Sequence, residues 1–307
     1  MSLLEKPPRD HHFVVRSYLE FFEAGVPRMV EVTDVEEARV WRSTAKETGF
    51  ERDLYRLPSA TPENEFALET KALQAVETNG IPILRVMNET RTLPVGADYA
   101  HLVLFISTQA MRTPAFLDWI GEVSLAVYQK EFRRIASSDE EWKKFSGGPG
   151  GPFLEVSREE MRAINLVDHV KASPEWKLHL AFRFAAAPEF PMFFHKRHWS
   201  LYASDGREFI TSDNPVIHAK DWTMFPIGPN AVLLGQMAGP RAVYPIGDVA
   251  VSLFNRATLA NAKRRIYSST RSSDWFAVGS RPKDLAAYRG ALRNRQEPYP
   301  SLAGFRP

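Results

Sequence analysis

The hydrophobic pattern changes period part-way along this chain, and that change constrains the fold more than any other feature. From His11 to about residue 187, apolar side chains recur mostly at the three- and four-residue spacing of helices. From about 190 to 295 they fall into short runs bounded by Gly, Pro, Asp and Asn. The first texture predicts helices that each bury one stripe, and the second predicts short strands joined by tight turns. Helices and strands segregated in this way read as an α+β fold, with a helical N-terminal half packed on a mostly antiparallel, strand-rich C-terminal half.

Within the helical part, His11 to Phe22 reads as a helix stopped by Gly25 and Pro27, followed by a short strand at Met29–Thr33. Thr61-Pro62-Glu63 has the proline and acid of a helix start. That helix is expected to run through Leu68, Leu73 and Val76 to about Thr78, before Gly80 and Pro82. Ala97 to Met111 is apolar on most faces and predicts a buried helix. Pro114 opens another, carrying Phe116, Trp119, Ile120, Val123 and Val127. Arg158–Lys171 and Pro174–Ala187 are also predicted helical. The glycine- and proline-rich run at 146–152 reads as a loop within one domain spanning 1–307. In the second half, Trp199–Tyr202, Glu208–Thr211, Ala231–Leu234 and Val249–Leu253 read as strands, and Asn255–Tyr267 as a helix with basic residues in its last turn.

Composition narrows the function. The 307 residues are 44% hydrophobic and 12% aromatic, enough for a sizeable core. With no cysteine, disulfides, thiolate nucleophiles, iron–sulfur clusters and Cys-based zinc sites are all excluded. A net charge of +2 neither demands nor forbids a nucleic-acid partner. Met1 to Asp10 carry charges and two prolines rather than an apolar segment, and no run reaches the ~18 apolar residues of a membrane span. The expectation is a cytoplasmic protein with no membrane partner; oligomeric state leaves no mark in the sequence. Phosphate-loop, dinucleotide-binding, His-Glu-x-x-His and nucleophile-elbow motifs do not occur.

Several separated segments carry a resemblance. His11-His12-Phe13-Val14-Val15-Arg16-Ser17-Tyr18-Leu19 is similar to a His-His-aromatic-Val-Pro-x-x-Tyr-Leu signature, with Val15 where that pattern has proline. Asp53-Leu54-Tyr55, the acidic positions Glu69 and Glu77, the stretch from Phe105 to Pro114, Phe209 to Val216 around Ser212-Asp213-Asn214-Pro215, and Asn255 with Ala262 and Ile266-Tyr267-Ser268 follow in order. Together they resemble the mostly bacterial family designated domain of unknown function 4238. The resemblance spans roughly residues 11 to 268 and implies no particular reaction.

His12, Glu77, Arg112, Asp213 and Asn214 are the candidate site residues. A neutral imidazole suits a metal ligand or general base. Asp213 and Asn214 sit in a turn after a strand-like run, where a carboxylate and an amide are held rigidly, although the same turn can simply cap its own backbone. Arg112 can pair with a buried carboxylate or grip a substrate phosphate through its planar fork. Two readings follow. In one, the chain is a metal-assisted hydrolase, a nuclease or phosphodiesterase, with His12, Glu77 and Asp213 holding Mg²⁺ or Mn²⁺, Arg112 taking the phosphate of a small-molecule or nucleic-acid substrate and Asn214 orienting it. In the other, the same polar residues form the structural network of a non-catalytic binding or interaction module. A third use, nucleic-acid binding through His195-Lys196-Arg197-His198-Trp199, rests on a cluster of bases and an aromatic that is commonly a solvated strand edge.

Overall fold

The computed structural model describes residues 9–57, 64–146, 157–163, 177–178, 181, 189–269, 275 and 285–294. The fold is α+β, and its chain divides into two compact units, residues 1–113 with 185–307 and residues 114–184.

Among the described residues, the larger unit holds three sheets. Strands β1 (Asp10–His12) and β4 (Phe50–Arg52) form an antiparallel pair, with His12 opposite Phe50. A four-stranded antiparallel sheet takes β2 (Val30–Asp34) and β3 (Val40–Ser43) from one end of the chain, and β6 (Thr211–Ser212) and β11 (Arg265–Ser268) from the other, in the order β3-β2-β11-β6. The five-stranded sheet has the order β10-β5-β9-β8-β7, built from β5 (His198–Ala203), β7 (Ile217–His218), β8 (Trp222–Gly228), β9 (Ala231–Gln236) and β10 (Val243–Pro245). Its pairs are antiparallel except β10 with β5. The Tyr18 hydroxyl links the two larger sheets, 2.7 Å from Thr211 Oγ1 and donating to Pro226 O at 2.6 Å.

The early strands depart from the helical expectation at His11–Phe22. Only α1 (Arg16–Leu19) and a 3₁₀ turn at Glu20–Phe22 are helical there. Asp10–His12 is a strand instead because it pairs with Phe50–Arg52, a partner that local spacing cannot register. The strand expected at Met29–Thr33 is present as β2, buried along its length and paired with β11. A second departure concerns Val249–Leu253, expected as a strand. It lies in a helix, α8 (Asp248–Asn261). A short apolar run fits either period. Here Val251, Phe254 and Ala257 form the buried helical stripe, packed on Tyr202, Phe209, Met224 and Leu234. The helix expected over Asn255–Tyr267 stops at Asn261, and its basic tail becomes a turn and strand β11.

Gly80 and Pro82 do not end their helix. After a π-helical turn at Leu68–Leu73, α2 runs from Gln74 to Thr90 with Pro82 inside it. Proline costs the helix one hydrogen bond, and tertiary packing outweighs that loss. Gly80 serves close approach: a Cβ there would lie 2.5 Å from the ring of Phe105 on α3 (Gly96–Met111). Asn88 Nδ2 then ties α2 to β8 by donating to Ile227 O at 2.8 Å. Helix α3 is buried on nearly every side from Phe105 to Met111, as its sequence predicts.

In the smaller unit, α4 (Pro114–Ser137) starts at the expected proline and is followed by α5 (Asp139–Ser146) and α6 (Arg158–Ala163). Arg158 and Arg162 both donate through Nε to Ala136 O, at 2.6 and 2.9 Å, which satisfies a carbonyl that the end of α4 leaves open. The helix start at 61–63, the loop from 147 to 152 and most of 164–187 lie outside the described residues. Among the described residues, no helix is long and apolar enough to cross a membrane.

Candidate functional site

Strand geometry separates the two adjacent histidines. Successive side chains of a strand point to opposite faces, so His11 and His12 do different things. His11 is buried and stacked on Tyr55 at 5.6 Å, and its Nδ1 accepts the Tyr55 backbone N–H at 2.8 Å. His12 lies against Phe50, with ring centroids 5.5 Å apart. Burial lowers the His12 pKa; bonds to the backbone of Lys46 and Ala45 oppose the shift without cancelling it. Its Nε2 is buried and has no hydrogen-bond partner.

The centre of the site is Arg112, which follows α3 and is 1% exposed. Its Nη1 donates to Glu77 Oε1 at 2.6 Å, and its Nη2 donates to the carbonyl of His12 and lies 3.6 Å from Glu69 Oε2. The Tyr55 ring lies 5.7 Å from the guanidinium, and the Tyr55 hydroxyl donates to the Arg112 carbonyl. A guanidinium in so dry a place requires carboxylates and carbonyls around it, because an unpaired buried charge is very costly. Two glutamates on one helical segment supply them. In an unbroken α-helix, residues eight apart sit roughly 80° out of line. The wider π turn at Leu68–Leu73 rotates Glu69 back toward the side that carries Glu77.

The two carboxylates are not equivalent. Glu77 takes the direct bond, with 28% of its side chain exposed. Glu69 is the drier, at 17%, and its Oε2 has no hydrogen bond. Burial raises its pKa to about 7; Arg112 opposes the shift and Glu77 adds to it. A carboxyl group raised to about 7, beside a second carboxylate and a buried guanidinium, has the property of a general acid or base.

Asp213 and Asn214 belong to a different polar network. The Asp213 carboxylate accepts the backbone N–H groups of Lys263 and Arg264, both at 2.7 Å, and of Arg265 at 2.8 Å. Burial pushes its pKa up while the three amides oppose the shift. Asn214 lies 3.3 Å from the Thr113 hydroxyl through Oδ1, and its backbone carbonyl accepts from Asn261 Nδ2 at 2.8 Å. These residues pin the turn between α8 and β11, the backbone-capping use of an Asp-Asn turn. Neither oxygen of Asp213 bonds to His12, Glu77 or Arg112.

The expected metal-binding trio of His12, Glu77 and Asp213 is therefore not assembled. Among the described residues, no three His, Asp or Glu side chains are grouped so as to hold one ion. Asp213 spends its lone pairs on amides, and the cation beside Glu77 is Arg112 itself. Nor is Arg112 presented as a phosphate clamp, since both terminal nitrogens already have protein acceptors. The structure brings together His12, Glu77 and Arg112, and adds Tyr55 and Glu69. Tyr55 was visible in the sequence only as the end of a short segment, with no sign that its ring and hydroxyl would frame an arginine 57 residues on.

Gln109 completes the connection between β1 and α3, accepting from Val15 N at 3.2 Å and donating to Phe13 O at 2.8 Å. The segments that carry the sequence resemblance thus meet within the larger unit. A family model described as "Protein of unknown function (DUF4238)" matches residues 10–272. The chain belongs to the DUF4238 family. No curated protein and no solved structure matches it. In this DUF4238 protein the histidine, tyrosine, glutamate and arginine segments converge on one guanidinium, while the Ser-Asp-Asn-Pro segment anchors a neighbouring turn.

Proposed function

We propose that this DUF4238 protein is an enzyme that performs general acid–base chemistry at the Glu69–Glu77 edge of the Arg112 cluster, with hydrolysis of a small polar substrate as the reaction class. One observation carries this reading: two carboxylates share a single buried guanidinium, but only one is bonded to it, and both keep an edge in solvent. In this mechanism Glu69 gives and takes the proton. Arg112 steadies the negative charge that remains when the proton leaves, and Tyr55 and the His12 carbonyl fix Arg112 in place. His12 contributes its backbone carbonyl to Arg112, and its imidazole, lowered in pKa by burial, takes no assigned part in the step. A paired carboxylate and carboxylic acid is a recurring arrangement for activating water against a polar bond.

A second reading has its own support. Arg112 is almost wholly buried and joins β1, α2 and the end of α3, as expected of a structural clamp in a non-catalytic module. Glu69→Gln separates the two, because it keeps shape and removes titration. On a panel of chromogenic esters, amides, glycosides and phosphate esters, the enzyme reading expects the variant to lose roughly 10²–10⁴-fold in rate on whichever substrate the wild type cleaves, while staying folded. A variant as active as wild type on that substrate removes Glu69 from the chemistry and leaves the clamp.

A further inference from the structure

Three arginines among the described residues are buried, and one lacks a carboxylate. Arg112 has Glu77, and Arg289 has Glu36 at 2.8 Å together with the carbonyls of Ala262 and Lys263. Arg197, 2% exposed in the turn between α7 (Glu189–His195) and β5, makes one side-chain hydrogen bond, from Nη2 to Lys220 O at a long 3.3 Å. Its Nε and Nη1 are buried without partners, so each fork of the guanidinium has an unused nitrogen. Asp221 acts on it electrostatically without forming an ion pair.

The surroundings are shaped around this group. The sheet is cut back beneath it: a Cβ on Gly235 of β9 would lie 3.0 Å from both the Arg197 Cβ and the Trp199 ring. Above it, Phe193 lies 4.5 Å from the guanidinium carbon with 43% of its surface in solvent. His218 stands edge-on to Phe193 and Phe194, at 5.7 and 4.8 Å. Its Nδ1 is 3.1 Å from the Thr223 hydroxyl. A buried guanidinium with unclaimed donors, roofed by one half-exposed ring, is arranged for an acceptor that the chain itself does not supply.

We propose that Arg197 anchors an oxyanion-binding site, roofed by Phe193 and flanked by His218 and the Lys220–Asp221 turn, which takes the phosphate or carboxylate group of a small-molecule ligand. The site is separate from the Arg112 cluster and does not depend on the reading given to that cluster.

The test uses the full chain at constant ionic strength, following thermal unfolding and calorimetric titration with inorganic phosphate and, separately, with acetate. Saturable binding of at least one anion is expected; phosphate alone would assign a phosphoryl group and acetate alone a carboxylate. Arg197→Met should weaken that binding at least about tenfold, the scale of losing a charge-assisted contact. The same substitution should raise the melting temperature of the ligand-free protein, since an unpaired buried charge is gone. Nonspecific salting effects of phosphate would persist in that variant, whereas site binding would not. If Arg197→Met fails to fold, Phe193→Ala, an exposed position, should speed anion association about threefold or more by removing the roof. The proposal is overturned if neither anion binds saturably, if Arg197→Met binds as wild type does, or if Phe193→Ala leaves association unchanged.

Discussion

Replacing Glu69 by glutamine should stabilise this protein at alkaline pH and leave it unchanged in acid. The carboxyl moves from an ordinary 4.5 in the unfolded chain to about 7 in the folded one. A group whose pKa is raised by folding favours the folded state while it is protonated. Its contribution is therefore complete below pH 4.5, declines as pH rises, and is gone above pH 7. The shift corresponds to about 3 kcal/mol. Glu69 has only 17% of its side chain exposed, so solvent screening removes little of that figure. Glutamine keeps the shape without the titration, and groups not coupled to Glu69 cancel in the comparison with wild type. Urea unfolding of both proteins from pH 4 to 9 reads the difference through the midpoint at unchanged slope. The difference should be near zero at the acid end, grow between pH 4.5 and 7 and level off at about 3 kcal/mol in favour of the variant. A pH-independent difference would show that Glu69 titrates normally. A variant less stable than wild type at pH 8 would mean that the ionised carboxylate is held by Arg112, and the assignment of Glu69 as the proton-transfer group would fall with it.

Two further perturbations examine the surrounding framework. Asp213→Asn, which retains one good acceptor for three amides, should cost about 1.5–3 kcal/mol in denaturant unfolding and speed hydrogen exchange at the amides of Lys263, Arg264 and Arg265. Unchanged exchange there would remove the anchoring role. Gly80→Ala drives a methyl against Phe105 and should cost about 1–3 kcal/mol, partly recovered when Phe105→Leu is added. Additive effects of the two changes would contradict the close helix contact.

The sequence alone determined the elements whose signals are local. The buried helix α3, the restart at Pro114 and the strands around Trp199–Tyr202 and Ala231–Leu234 all carry their period or punctuation within a few residues. It also nominated His12, Glu77 and Arg112, which stand in the segments that carry the family resemblance. Tertiary structure decided the rest. Whether Val249–Leu253 became strand or helix depended on which side chains waited opposite it, and His11 and His12 became part of a strand by pairing with Glu51 and Phe50. Asp213 looked equally fit for a metal or for a turn until the amides of residues 263–265 claimed both of its oxygens. Glu69 differs from an ordinary helical glutamate through the loss of water around it and the guanidinium 3.6 Å away. Desolvation and the meeting of distant charges are properties of the folded chain, and no window of sequence contains them.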